Sequence, residues 1–150
     1  MDMPESYQSN MLKPSEAIKT LKEQGSRMTA QRLAVLDILY NNRMHPSAEY
    51  IITRVKKKLG QVSVATVYNT LDTLEKNGFI KKIDGLETKS HYDSDTGNHS
   101  HCICKKCKII FNVILNDDIK KDSLPDNFLL TDVILQGLCE KCRQDDNINL

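Results

Sequence analysis

Two Cys-x-x-Cys pairs, Cys104/Cys107 and Cys139/Cys142, constrain this chain more than any other feature. A Cys-x-x-Cys turn presents two thiols from one tight loop. Two such turns supply the four thiolates of a closed tetrahedral zinc site, with sulfur about 2.3 Å from the ion. The 31 residues between the pairs leave room for a strand–helix–strand excursion. Neither pair sits in the βαβ setting of a redox dithiol. With the polar residues 1–14 lacking the apolar core of a secretory signal, the expected compartment is the cytoplasm, where paired cysteines serve metals better than disulfides. Cys102 is left over, and reads as a small buried residue on a strand.

The first pair ends a stretch rich in further ligands: His91, Asp93, His99, His101, Cys102, Cys104 and Cys107. Side chains alternate along a strand, so His99 and His101 share one face, as do His91 and Asp93. Imidazole and carboxylate form a borderline set suited to zinc, iron(II), manganese or nickel. The stretch also marks a change in the chain. Residues 1–90 carry a positive excess and residues 91–150 a negative one, summing to +1. Only the front half suits a polyanion.

That front half reads as helices. After a flexible arm over residues 1–14, Ser15 is expected to cap a helix ending at Gly25. Thr29 caps a second helix with Leu33, Leu36, Leu39 and Tyr40 inward. His45-Pro46 reads as a turn. Ser47 opens a third helix that buries Ala48, Ile51, Ile52, Val55 and Leu59, and Gly60 closes it. Ser63 opens a fourth through Asn77, with Val64, Val67, Leu71 and Leu74 inward, and Gly78 and Phe79 form its stop. Its outer face, Ala65, Thr66, Asn69, Asp72 and Thr73, lacks long side chains and can approach another surface closely. Phe79–Ile83 and Thr88–Tyr92 flank Asp84-Gly85, a hairpin signal. Helices followed by a basic hairpin predict a winged helix-turn-helix. In the back half, Ile109–Leu115 predicts a well-buried strand, Asn116 a cap for a helix over 117–123, and Phe128–Leu138 a second strand. The residues after Cys142 are expected to fray. No run reaches the length of a membrane span. The fold class is α+β.

The motifs Thr29-Ala30-Gln31-Arg32, His45-Pro46-Ser47-Ala48, Ser63-Val64-Ala65-Thr66-Val67-Tyr68-Asn69-Thr70-Leu71, His99 to Cys107 and Cys139-Glu140-Lys141-Cys142 resemble the ferric uptake regulator family of metal-dependent bacterial repressors. The likeness runs from about residue 15 to 142, and is strongest to the peroxide-responsive branch because of Asn69 and Asp93. The resemblance implies a DNA-reading winged helix over residues 1–93, with arm and hinge, and a dimerisation domain over 94–150 stabilised by the four-cysteine zinc. It implies a regulatory metal, Fe(2+), Mn(2+) or Zn(2+), at His45, Asp93, His99 and His101, with His91 and Asn112 as further candidates. Asn112 stands where peroxide sensors carry an aspartate. Asn98 and Ser100 stand at two positions of an auxiliary site found in some iron sensors.

The expected function is a homodimeric repressor on a palindromic double-stranded DNA operator, controlling metal homeostasis or oxidative stress genes, with no membrane partner. Ala65, Thr66, Tyr68 and Asn69 are the candidate base readers. Arg32, Lys81 and Lys82 are candidate phosphate contacts, with Lys56, Lys57, Lys58 and Lys89 behind them. One alternative is an iron- or zinc-uptake repressor blind to peroxide. Another is a zinc-ribbon enzyme, redox or hydrolytic. It lacks support, since the strong site is closed and no His-Glu-x-x-His motif is present. The chain therefore reads as a non-enzyme.

Overall fold

Three hydroxyl caps set the helical frame. A computed structural model of the chain describes residues 7–84, 89–115 and 124–145. Thr29, Ser47 and Ser63 each accept the backbone N–H three residues on, and so start α2 (Ala30–Asn41), α3 (Ala48–Leu59) and α4 (Val64–Lys76). Each cap satisfies a donor that the first turn would otherwise leave open. The first helix, α1 (Pro14–Glu23), begins differently from expectation. Lys13 is the cap position and Pro14 takes the first helical place, where its missing N–H removes nothing. Ser15 lies inside the helix.

The described residues form two compact units, Ser9–Gly97 and Asn98 onward, with Tyr7 and Gln8 grouping with the second. In the first unit α2 packs against α1, α3 and α4. Leu21, Val35, Leu39, Ile51, Val55, Val67, Leu71 and Leu74 are almost wholly buried there. Being flanked by several helices shifts the inner arc of α2. Ala34, Val35, Leu36 and Leu39 are buried, whereas Leu33 and Tyr40, expected inside, are exposed. Val64, at the tip of α4, is also exposed.

Gly60 and Gly78 close α3 and α4 in left-handed conformations. Gly78 donates to the Glu75 carbonyl and Phe79 to that of Leu74, each at 2.9 Å. These are the paired bonds of a Schellman ending, and Phe79 packs on the core behind them. A methyl at Gly78 would meet nothing within 4 Å, so its cost is conformational. Gly78→Ala should lower stability by about 1 kcal/mol, read as a shift in the urea midpoint at constant slope.

The two runs expected to form a hairpin pair with each other. Strands β1 (Lys81–Ile83) and β2 (His91–Asp93) pair antiparallel with Ile83 opposite His91. The Asp84-Gly85 turn signal falls on residues 85–88, which lie outside the described residues. Long-range pairing explains the register. The far edge of β2 bridges to Ser47, Tyr92 N–H donates to the Pro46 carbonyl at 3.0 Å, and Ala48 N–H to that of Ser90. Tyr92 and Ile83 are thereby buried, and register follows the buried face.

The amino-terminal arm is docked from Ser9 onward rather than loose. Met11 bridges Asp95, Leu12 N–H reaches the Ser94 carbonyl, and Thr96 N–H that of Asn10. Leu12 is only 2% exposed, and its burial anchors the segment.

In the second unit β3 (Ser100–Cys104) is the central strand. It runs antiparallel to β4 (Ile110–Val113) and parallel to β5 (Ile134–Gly137). As an edge strand β4 is not well buried: Ile110 is inside but Phe111 is 46% exposed. The extended run expected over Phe128–Leu138 pairs only at Ile134–Gly137, the stretch in register with His101–Cys104. The helix expected over 117–123 lies outside the described residues. The chain does not fray directly after Cys142, because that cysteine sits inside a short helix, α5 (Glu140–Asp145).

Candidate metal centres and nucleic-acid interface

Strand β3 delivers Cys104 at its end, and the chain turns back through Cys107 into β4. Lys108, at φ 63°, makes that turn, donating its N–H to the Cys104 carbonyl at 2.9 Å. Cys139 and Cys142 follow β5, with Arg143 N–H closing their turn on the Cys139 carbonyl. The four sulfurs all lie within 4.8 Å of one another. Cys107 and Cys139 Sγ are 3.7 Å apart, against an edge of about 3.8 Å for four sulfurs around zinc. The Cys139 N–H points at Cys104 Sγ, 3.4 Å away. That amide, with the one at Cys107, lowers the Cys104 thiol to about 6, favouring the thiolate a metal requires. Burial pushes the Cys142 thiol up to about 12, a cost that a bound dication removes. The cluster fits a structural zinc. Cys102, half-buried, lies outside it.

A different donor set occupies the start of β3. His99 and His101 are buried and their Nε2 atoms are 3.2 Å apart. Metal–nitrogen bonds of about 2.0–2.1 Å place neighbouring ligand atoms about 3.0–3.4 Å apart. Asn112 is directly opposite His101 in the β3–β4 ladder, which puts both side chains on one face. Tyr7 sets its ring edge-on to His99, centroids 5.9 Å apart. No sequence pattern marked Tyr7.

The first unit carries a pair of its own. His45 Nε2 is 3.3 Å from Asp93 Oδ2, and both residues are buried. His45 holds a left-handed backbone, φ 52°, immediately before Pro46. Such a conformation is uncommon outside glycine and costs about 1–3 kcal/mol, a cost most often retained at functional positions. Asp93 accepts the Asp95 N–H through Oδ1 at 2.8 Å, which leaves Oδ2 directed at His45. His91 shares the strand, with Nδ1 3.2 Å from the Lys89 carbonyl. Burial lowers its pKa below the usual histidine value, the Lys89 carbonyl opposing this. Neutral imidazole is the ligating form.

On α4, Ala65, Tyr68 and Asn69 are exposed and Thr66 is half-exposed. The buried side of the same helix, Val67, Thr70, Leu71 and Leu74, fixes this orientation. Gln31 Oε1 caps the Ser63 N–H at 2.8 Å, tying the start of α4 to α2. Arg32 donates to the Arg27 carbonyl and Lys81 to that of Gly97. Lys82 lies 3.5 Å from Asp84. No helix among the described residues is long and apolar enough to cross a membrane.

The model of the ferric uptake regulator family matches residues 23–131. The peroxide operon regulator of Bacillus subtilis is 35% identical over 137 residues, covering 88% of this chain and 94% of that protein. The peroxide-responsive repressor PerR of Staphylococcus epidermidis is 32% identical, with 88% and 91% covered. Among solved structures, the Helicobacter pylori ferric uptake regulator, reported with three functional metal-binding sites, superposes with a TM-score of 0.73. It is 24% identical, with 89% of this chain and 97% of that chain covered, and supports the fold. With the winged helix, the four-cysteine cluster and these matches agreeing, the chain belongs to the ferric uptake regulator family of metal-dependent transcriptional repressors.

Proposed function

We propose that the chain is a cytoplasmic, non-enzymatic, homodimeric repressor. Its grip on a palindromic operator is set by one divalent metal, Fe(2+), Mn(2+) or Zn(2+), shared by His45, Asp93, His99 and His101. One observation carries this reading: two buried ligand pairs, His45 with Asp93 and His99 with His101, each at the spacing of adjacent metal ligands. A metal common to both pairs ties the winged helix to the metal-binding domain. It promotes DNA binding only as far as it favours that arrangement over others. Ala65, Thr66, Tyr68 and Asn69 read base edges, Asn69 being suited to adenine. Arg32 and Lys82 meet phosphates. The exposed apolar side chains Phe111, Leu135 and Leu138 of the second unit suit pairing with a second copy, and a dimer matches a two-fold operator.

The named relatives, a peroxide operon regulator and a peroxide-responsive repressor, argue for peroxide as the signal. One residue favours a second reading, in which the protein answers to metal alone. Asn112, beside His101, offers a neutral oxygen where the peroxide-responsive pattern has a carboxylate, so the bound ion keeps a larger net positive charge. The test is operator binding measured against each divalent metal, with and without peroxide, followed by a mass search for added oxygen on the His99–His101 peptide. Metal-dependent binding abolished by peroxide, with one oxygen added, supports the first reading. Metal dependence that survives peroxide supports the second. Operator binding indifferent to every metal overturns both. Asn112→Asp should tighten Mn(2+) binding by about tenfold, the lower end of what groups around a metal commonly contribute, as read by competition with a chelator.

A further inference from the structure

Asp95 is buried and, among the described residues, is in neither of the ligand clusters above, yet its carboxylate accepts three hydrogen bonds. Its Oδ1 accepts the Asn10 N–H and the Gly97 N–H, each at 2.8 Å, and its Oδ2 accepts the Ser9 hydroxyl at 2.8 Å. Two of these donors come from a segment more than eighty residues away in sequence. The Asp95 backbone is held from the same side, by the bridge to Met11, with the Asn10 side chain on Thr96 and the Leu12 N–H on Ser94 on either flank. Residues Ser9–Leu12 thus lie along Ser94–Thr96 like a short added strand, fastened at its end by the Asp95 carboxylate.

That fastening bears on Asp93. The Asp95 N–H is the donor to Asp93 Oδ1. An aspartate whose one oxygen is taken by the amide two residues on has little torsional freedom left, so its other oxygen points one way, here toward His45 Nε2 at 3.3 Å. The position of the Asp95 amide is set by the Asp95 carboxylate and the Met11 bridge. We infer that Asp95, together with the Ser9–Asn10 segment, is a positioning device for the metal ligand Asp93, so that the amino-terminal arm tunes regulatory-metal affinity without touching the metal. This rests on the reading of Asp93 as a ligand given above. Groups that orient a ligand rather than bind the ion commonly carry about 10–100-fold in affinity. Ligand geometry must hold to within about 0.2 Å.

The experiment is Mn(2+) titration of the zinc-containing full chain, with thermal unfolding of the same protein without Mn(2+) measured alongside. Ser9→Ala removes one charge-assisted hydrogen bond from Asp95 and leaves the backbone alone. Asp95→Asn turns an amide NH2 toward one of the three donors. Both should weaken Mn(2+) binding by about tenfold or more, while the zinc content and thermal midpoint of Ser9→Ala stay unchanged. Ser9→Thr, which keeps the hydroxyl, should restore the affinity. Asp93→Ala runs in parallel. If Asp93→Ala weakens binding but Ser9→Ala and Asp95→Asn stay within twofold of the parent, the positioning role is overturned and the ligand reading stands. If Asp93→Ala also leaves Mn(2+) affinity intact, the ligand reading itself fails and takes the inference with it. A parallel loss of thermal midpoint and affinity in Ser9→Ala, unrescued by Ser9→Thr, would make Asp95 a general stabiliser and overturn the inference.

Discussion

Cys142→Ser should give a chain that purifies without zinc and whose second unit no longer melts cooperatively. The effect is expected to be large because the four sulfurs, all within 4.8 Å of one another, join the two ends of the unit's described sheet. Ile103 and Ile110 are buried, but Phe111, Leu135 and Leu138 are exposed, so the apolar core of a three-stranded sheet is small. Zinc bound by four thiolates supplies about 10–16 kcal/mol of apparent free energy in small domains at neutral pH, more than the whole stability of many domains. Serine keeps the size of the side chain but supplies a hydroxyl that stays protonated at pH 7. The site is then left with three of its four thiolates. Metal content by mass spectrometry and circular dichroism on heating check this. A full complement of zinc and an unchanged thermal midpoint would show that the cysteines do not carry the unit. The first unit should keep its helices, since its core contains none of these residues.

His45→Ala separates the two metals. The variant should keep its structural zinc and its fold while its regulatory-metal affinity falls by at least about 100-fold, since groups that merely orient a ligand already carry 10–100-fold. Operator binding should then no longer respond to added Mn(2+) or Fe(2+). Two features make His45 a sensitive position. It is buried opposite Asp93, so its loss leaves a carboxylate without its facing imidazole. Its backbone is left-handed ahead of a proline, so alanine inherits the strain without the contact that offsets it. Some loss of stability is therefore expected too, on the order of 1 kcal/mol. Zinc content and thermal unfolding separate this from the loss of metal response. Metal-activated DNA binding that survives His45→Ala would remove this residue from the regulatory site.

Much of this was legible in the residues alone. Thr29, Ser47 and Ser63 start helices, Gly60 and Gly78 stop them, and the two Cys-x-x-Cys turns converge on one point. Each of these is a matter of a few adjacent residues, where local hydrogen bonding decides. The inner face of α4 followed from its 3.6-residue period, and with it the outward display of Ala65, Tyr68 and Asn69. Other elements were misread for a common reason. Leu33 and Tyr40 fit a helical stripe, but the position of three neighbouring helices chose a different arc of α2. Residues 1–14 suggest a loose arm, but Ser94, Asp95 and Thr96, the partners of Ser9–Leu12, lie more than eighty residues away.

The sequence by itself determined where the metal-ligating side chains lie in the chain and which face of α4 is exposed, because those depend on chemical type and short-range periodicity. Only the tertiary structure decided that His45 faces Asp93 at 3.3 Å, and that Asp93 accepts the Asp95 N–H while the Asp95 carboxylate binds Ser9 and Asn10. The physical reason is that a side chain's partners across the fold are set by packing and register between distant segments. No window of adjacent residues contains that information.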